Sequence, residues 1–120
     1  MFVHLKKEDF KRLEAVLTVN KIEEDLLTIS IKADECDIDL RNGSEGMLVV
    51  NLHCKGMTKI RSKALFELLE DIAKEKGFSG IEFPQVRAKN LIEELKVRLY
   101  VNKYGLNEAP NKEGYYVYYF

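Results

Sequence analysis

The residues with the most evident chemistry form a basic segment in the middle of the chain. Lys55, Lys59, Arg61 and Lys63 lie in and just after a short loop between a run of β-forming residues and a helical repeat. A strand that leads directly into a helix places the first N–H groups of that helix at the loop, where they and the helix dipole attract an anion. The segment therefore predicts a phosphate-bearing ligand. The alternative is an ordinary crossover between parallel strands, whose basic residues are solvated and bind nothing specific.

The other reactive side chains form no recognisable motif. His4 and His53 are far apart and have no catalytic partner pattern, so we expect each to be structural or exposed. Cys36 and Cys54 lack a Cys-x-x-Cys spacing, which argues against zinc and thioredoxin-type chemistry and favours reduced, partly buried thiols. The acidic residues of segment 34–39 lack the pattern of a calcium loop, and we expect a hydrated strand face there rather than a metal site.

Length and composition indicate one compact domain over residues 1–120. The chain has 46% hydrophobic residues and a formal net charge of −1, which suits a single core. Its apolar runs fall short of the roughly 20 residues that span a bilayer, and no signal-peptide core begins the chain. We therefore expect a cytoplasmic protein without membrane association. The near-neutral charge gives no overall footprint for nucleic acid, and binding through the basic segment together with Arg87 and Lys89 is the weaker alternative.

Residue periodicity predicts the elements that position the basic segment. We expect a strand at residues 2–5, a helix from Lys7 to about Val19 and a solvated connector at residues 23–25. Period-two alternation predicts the first two strands of an antiparallel meander, and a run of β-formers whose apolar side chains occupy both parities predicts the third. These strands are expected at residues 27–31, 36–40 and 47–52, with turns at Asp34-Glu35 and Asn42-Gly43.

The second half of the sequence predicts two crossover helices and two strands. The first helix has one apolar face and ends near Gly77 as a C-cap, and its apolar residues are Ala64, Leu65, Leu68, Leu69, Ile72 and Ala73. A strand then begins at Gly80, a second helix is expected at residues 88–100 and a polar loop at residues 107–114. The aromatic run 115–120 predicts a strand that buries aromatic surface on both faces. At a sheet edge it would instead be an adhesive surface for a dimer or another partner.

Three segments carry a family resemblance, together with this order of elements. Residues 4–10 look like an opening strand and helix start, residues 62–83 like a central helix and its following strand, and residues 99–106 like a Leu-Tyr-x-Lys-x-Gly-Phe helix ending. The chain thereby resembles, over almost its whole length, the GNAT superfamily of acetyl-CoA-dependent N-acetyltransferases. The resemblance implies an α/β (α+β) fold with a mixed, mostly antiparallel sheet, helices on both faces and the order β-α-β-β-β-α-β-α-β.

The resemblance also implies where acetyl-CoA binds. In that family an Arg/Gln-x-x-Gly-x-Gly/Ala loop enters the central helix, and its N–H groups hold the cofactor pyrophosphate. This chain departs from the pattern: Lys59 and Arg61 occupy the glycine positions in one register, and the shifted register places only the small Ser62 there. The implied contacts lie at the end of the strand and the start of the helix, namely Leu52, His53, Cys54, Thr58, Lys59, Ile60, Arg61 and Ser62.

Catalysis is assigned through the resemblance to Tyr100, as the acid that protonates the departing coenzyme thiolate. Its spacing from Gly105 is one residue longer than the family pattern. A backbone N–H near Leu52 or His53 would polarise the acetyl carbonyl, and the acceptor would be an amine on a small molecule or a protein.

Two questions stay open from the sequence. Glu35 and Glu45 are both candidates for the general base, and neither is assigned. The lost loop glycines and the aromatic terminal strand also motivate an alternative function, a non-catalytic GNAT-like module that binds a protein or forms a homodimer.

Overall fold

The fold is a mixed sheet with two helices, and the computed structural model describes residues 3–55, 57–84, 107–108 and 116–120. The described helices are α1 (Lys7–Val16) and α2 (Lys59–Glu75), and a 3-10 turn occupies Ser44–Gly46. The described strands are β1 (Val19–Glu24), β2 (Thr28–Ala33), β3 (Cys36–Asn42), β4 (Met47–Cys54), β5 (Gly80–Phe83), the two-residue β6 (Asn107–Glu108) and β7 (Tyr116–Tyr119).

The sheet order is β1-β2-β3-β4-β5-β7-β6. Within the described part of the chain β4 and β5 are parallel, and the other five neighbouring pairs are antiparallel. The predicted α+β class with a mostly antiparallel sheet is therefore confirmed, as is the three-stranded meander of β2, β3 and β4. The terminal strand β7 lies inside the sheet between β5 and β6 rather than at an edge.

Helices α1 and α2 lie on the same face of the sheet and share one core with it. That core contains Leu13 of α1, Leu69 and Ile72 of α2, and alternate residues of β2, β3 and β4 such as Ile31 and Ile38. The second predicted crossover helix, at residues 88–100, lies outside the described residues, so helices on both faces stay a prediction. Met47 and Val49 are buried but point away from this core, to the opposite face.

Helix α2 follows its sequence pattern closely. Its predicted face is buried at Leu65, Leu68, Leu69, Ile72 and Ala73, with Ala64 half-buried. Gly77 adopts a φ of +82°, and the N–H groups of Gly77 and Phe78 donate to the carbonyls of Lys74 and Ala73, so the predicted glycine cap is confirmed. This cap fixes where α2 ends and the direction in which the chain continues into β5.

Two predictions for the N-terminal region are wrong. Residues 3–5 form no strand. They belong to an irregular segment that precedes α1, and its Leu5 side chain is buried in the core. The helix ends at Val16, and a strand, β1, forms where a connector was expected. A register shift between Val19 and Lys21 breaks the period-two pattern of this edge strand, which hides it from sequence analysis.

The turn before β4 also differs from the expectation. Asn42 belongs to β3, and Gly43 is extended. The left-handed residues are Glu45, with a φ of 57°, and Gly46, with a φ of 74°. The chain therefore reverses at residues 44–46, and Gly46 supplies the conformation that Asn42-Gly43 was expected to supply.

Candidate functional site

The site predicted from the sequence lies where β4 ends and α2 begins. Four residues, 55–58, join Cys54 to Lys59. Thr58 is the N-cap: its Oγ1 accepts the N–H of Arg61 at 3.2 Å, and its carbonyl accepts the N–H of Ser62 at 2.9 Å. The N–H groups of Lys59 and Ile60 have no acceptor within the helix, and no acidic residue lies in its first turn. This helix end is therefore suited to an anion.

The backbone of β4 extends beyond its described pairing with β5. That pairing covers Met47, Leu48 and Val49 only. On the β3 side, the N–H of Lys55 donates to the backbone carbonyl of Glu35, and the N–H of Gly43 donates to the backbone carbonyl of Met47, each at 2.8 Å. The odd-numbered residues of β4 thus bond to β3, and the even-numbered ones face the β5 side.

This alternation distinguishes the N–H groups of Leu52 and His53, which the sequence left as alternatives for the same hydrogen bond. The N–H of His53 points toward β3, whereas the N–H of Leu52 points toward the β5 side, past the last described β4–β5 pair. Leu52 is half-buried and His53 is exposed. Leu52 is accordingly the better placed of the two to donate to a ligand.

Three basic side chains that the structure describes at this site lie near carboxylates. Arg61 Nη1 lies 2.8 Å from Glu35 Oε1, and Lys55 Nζ lies 3.1 Å from Asp37 Oδ1. Lys63 Nζ lies 3.9 Å from Glu67 Oε1, which is a loose i,i+4 pair on the helix surface. The carboxylates offset part of the positive charge of Lys55 and Arg61. The backbone N–H groups at the start of α2 are further donors for an anion.

Glu35 is an anchor for α2 rather than a general base. Its two oxygens accept the N–H of Thr18 at 2.9 Å each, and one of them also accepts Arg61. Hydrogen bonds from the side chain and backbone of Thr18, with a smaller contribution from Arg61, hold the pKa of Glu35 below its usual value. These bonds occupy both Glu35 oxygens and lower the proton affinity that a base needs. Glu45 lies at the opposite end of β4, away from the start of α2.

The remaining predicted residues divide into exposed and buried positions. Ile60 is 82% exposed, Thr58 is exposed, and Met57, which was not predicted, is buried in the loop. Ser62 is buried, and its Oγ finds no hydrogen-bond partner among the described residues. The burial of Ser62, one turn into α2, could not be predicted, since serine at such a position commonly lies on the helix surface. Tyr100 and Gly105 lie outside the described residues, so the catalytic assignment stays a prediction.

The acidic segment forms part of a polar sheet face. Asp39 accepts the hydroxyl of Ser30 at 2.7 Å, and Asp37 pairs with Lys55. The hydrogen bond from Lys55 is the main cause that lowers the pKa of Asp37. In the described ranges no three His, Cys, Asp or Glu side chains are grouped as a metal site.

A cavity of about 370 Å³ lies at the other end of α2, far along the helix from the predicted site. Asp9, Arg12 and Lys76 line it, and they already pair with one another and with Glu75. This cluster joins α1 to the end of α2, and its charges are balanced. Neither described helix is long and apolar enough to cross a bilayer.

The chain was compared with protein-family models, curated proteins and solved structures. None of them matches it.

Proposed function

We propose that the end of β4 and the start of α2 bind acetyl-CoA, and that the protein is a GNAT-like N-acetyltransferase. The observation that supports this most directly is the presence of two sets of backbone donors in neighbouring segments. The N–H of Leu52 faces the side of β4 beyond its pairing with β5, and the N–H groups of Lys59 and Ile60 open the helix that follows four residues after β4. One extended, anionic ligand can use both sets.

The proposal gives each group a role. The Leu52 N–H donates to the thioester carbonyl, where negative charge develops as an acceptor amine attacks the acetyl carbon. The N–H groups of Lys59 and Ile60 donate to the pyrophosphate. Tyr100, assigned by resemblance, would donate a proton to the sulfur as the carbon–sulfur bond breaks. The proton that the amine nitrogen loses would pass to water, and solvent would return a proton to Tyr100.

Titration calorimetry of acetyl-CoA into the purified protein tests the proposal, with Ile60→Glu as the key variant. Ile60 is 82% exposed, so the substitution removes no packing, and a carboxylate in the first turn favours the helix dipole while it repels a phosphate. We expect the wild type to bind acetyl-CoA and the variant to bind it about two- to fivefold more weakly. The Tm of the variant should equal or exceed that of the wild type. Reversal of Arg61 is a poorer test, because it would set a second carboxylate beside Glu35.

The matched control is Leu26→Glu. Leu26 is 87% exposed in the β1–β2 turn, so this variant also replaces an exposed aliphatic side chain with glutamate, but away from the helix end. Its affinity should equal that of the wild type. Equal losses in both variants would point to a general charge effect, and an absence of both heat and thermal stabilisation by acetyl-CoA would contradict cofactor binding.

The second candidate is a non-catalytic interaction module, and the pairing of Lys55 and Arg61 with carboxylates favours it. Lys55 and Arg61 are held by carboxylates, and Tyr119 and Phe120 are 65% and 41% exposed at the end of β7. If acetyl-CoA does not bind and light scattering shows a homodimer that Tyr119→Ser dissociates, this function replaces the first.

A further inference from the structure

Both cysteines lie at one end of the β3–β4 hairpin, and the strand register places them directly opposite each other. Cys36 is the first residue of β3, Cys54 is the last of β4, and their Cα atoms are register partners. The adjacent bond from the Lys55 N–H to the Glu35 carbonyl, at 2.8 Å, makes residues 35 and 55 a hydrogen-bonded pair. Cys36 and Cys54 are therefore a non-hydrogen-bonded pair, in which Cα atoms approach to about 4.5 Å.

This backbone separation suits a covalent bridge. A disulfide spans Cα atoms about 4.4–6.8 Å apart, so a pair at this register position lies within the range, near its lower limit, and a small separation of the strands suffices to form the bridge. We propose that Cys36 and Cys54 are a redox-active pair, which forms a reversible cross-strand disulfide with a small-molecule disulfide such as oxidised glutathione. Backbone register places Cys54 in this pair, and the proposal is independent of acetyl-CoA binding.

The reaction is thiol–disulfide exchange in two steps. Cys36 is completely buried, so we assign the first attack to Cys54. The Cys54 thiolate attacks one sulfur of oxidised glutathione, which forms a mixed disulfide and releases one glutathione thiolate. The Cys36 thiolate then attacks the Cys54 sulfur and releases the second. The protein loses two electrons and two protons, and one oxidised glutathione becomes two reduced molecules.

Intact-mass measurement of the native protein after incubation with oxidised glutathione tests the proposal. We expect a monomer lighter by about 2 Da, with no thiol left to alkylate after denaturation, and full reversal by a dithiol reductant. The bridge closes the β3–β4 hairpin, so the Tm of the oxidised form should rise by about 5 °C or more. Glutathione adducts or cross-linked dimers without the bridged monomer would overturn the proposal.

Two single variants test the order of attack. Cys36→Ala should stop at the mixed disulfide and gain the mass of one glutathionyl group, because no second thiol resolves it. Cys54→Ala should keep its mass, since its remaining thiol is buried. The opposite pattern would overturn the assignment of the first attack to Cys54.

The decisive control moves one cysteine by a single residue. The double variant His53→Cys with Cys54→Ala keeps two cysteines and leaves the buried Cys36 unchanged, but it moves the second thiol to the opposite face of the sheet. His53 is exposed, so this variant should fold. We expect at least a tenfold slower formation of the bridged monomer. An equal rate would show that register does not select the pair and would overturn the inference.

Discussion

Asp9 links helix α1 to the end of helix α2 through an ion pair. It is 3% exposed, accepts the N–H of Lys6 at 2.8 Å, and lies 3.0 Å from Lys76 and 3.6 Å from Arg12. Burial alone would raise the pKa of Asp9, but the hydrogen bond from Lys6 and the charges of Lys76 and Arg12 hold it below the usual value. Asp9 is thus a buried anion that its neighbours fully compensate.

We expect Asp9→Asn to lower the free energy of unfolding by about 2–4 kcal/mol at pH 7, because it leaves Lys76 beside a neutral amide. The folded-state pKa is depressed, so this stabilisation is present above the unfolded pKa of about 4 and is lost as pH falls through the lower folded value. Urea unfolding at pH 7 and near pH 3 should show the two proteins converging in acid. Glu14→Gln, exposed on the same helix, should change little, and a constant gap at both pH values would contradict the assignment.

The residue scale also shows what the sequence could not reveal about the site. The sequence around Lys55, Arg61 and Lys63 does not distinguish paired from unpaired cations, yet the side chain of each lies near a carboxylate. Only the Lys63–Glu67 pair follows from helical spacing. The other two partners, Asp37 and Glu35, are brought near by the β3–β4 register, and no local pattern predicts that contact.

At the scale of elements, the N-cap of α2 supports both the fold and the proposed site. We expect Thr58→Ala to lower the free energy of unfolding by about 1 kcal/mol, because Thr58 Oγ1 accepts the Arg61 N–H at 3.2 Å. Thr58→Ser retains this acceptor and should remain close to the wild type. Denaturant midpoints of the three proteins measure the difference, and equal losses in both variants would show that the methyl group matters rather than the cap.

The same scale explains which elements the sequence predicts. Helix α2 and strands β2 and β3 have regular apolar periods, β4 is a continuous run of β-forming residues, and β5 follows the glycine that ends α2. These elements therefore appear at their expected places. Strand β1 does not, because only Val19 and Ile22 are half-buried and a register shift separates them. Its position is set by pairing with β2, and the sequence of β1 alone resembles a polar connector.

At the scale of the whole molecule, the terminal strand completes the sheet. β7 pairs with all four residues of β5, and a Cβ on Gly80 would overlap the Tyr118 carbonyl, so glycine permits this close approach. The aromatic composition of the C-terminus predicts a strand, but not its insertion between β5 and β6. Such a pairing joins residues 33 to 39 positions apart, and only the assembled sheet determines it.

Removal of residues 116–120 should therefore disrupt the domain. The deletion exposes the edge of β5 and removes Tyr118, whose ring lies 6.0 Å from that of Phe66 and whose hydroxyl donates to Glu70 at 3.1 Å. We expect an aggregated protein, or one whose Tm falls by more than about 10 °C. Tyr119→Ala is the control, because the Tyr119 side chain is 65% exposed and should tolerate truncation. A deleted protein that remains soluble, with an unchanged Tm and a smaller oligomeric state, would instead assign β7 to a subunit interface. Thermal melts with light scattering on the three proteins distinguish these outcomes.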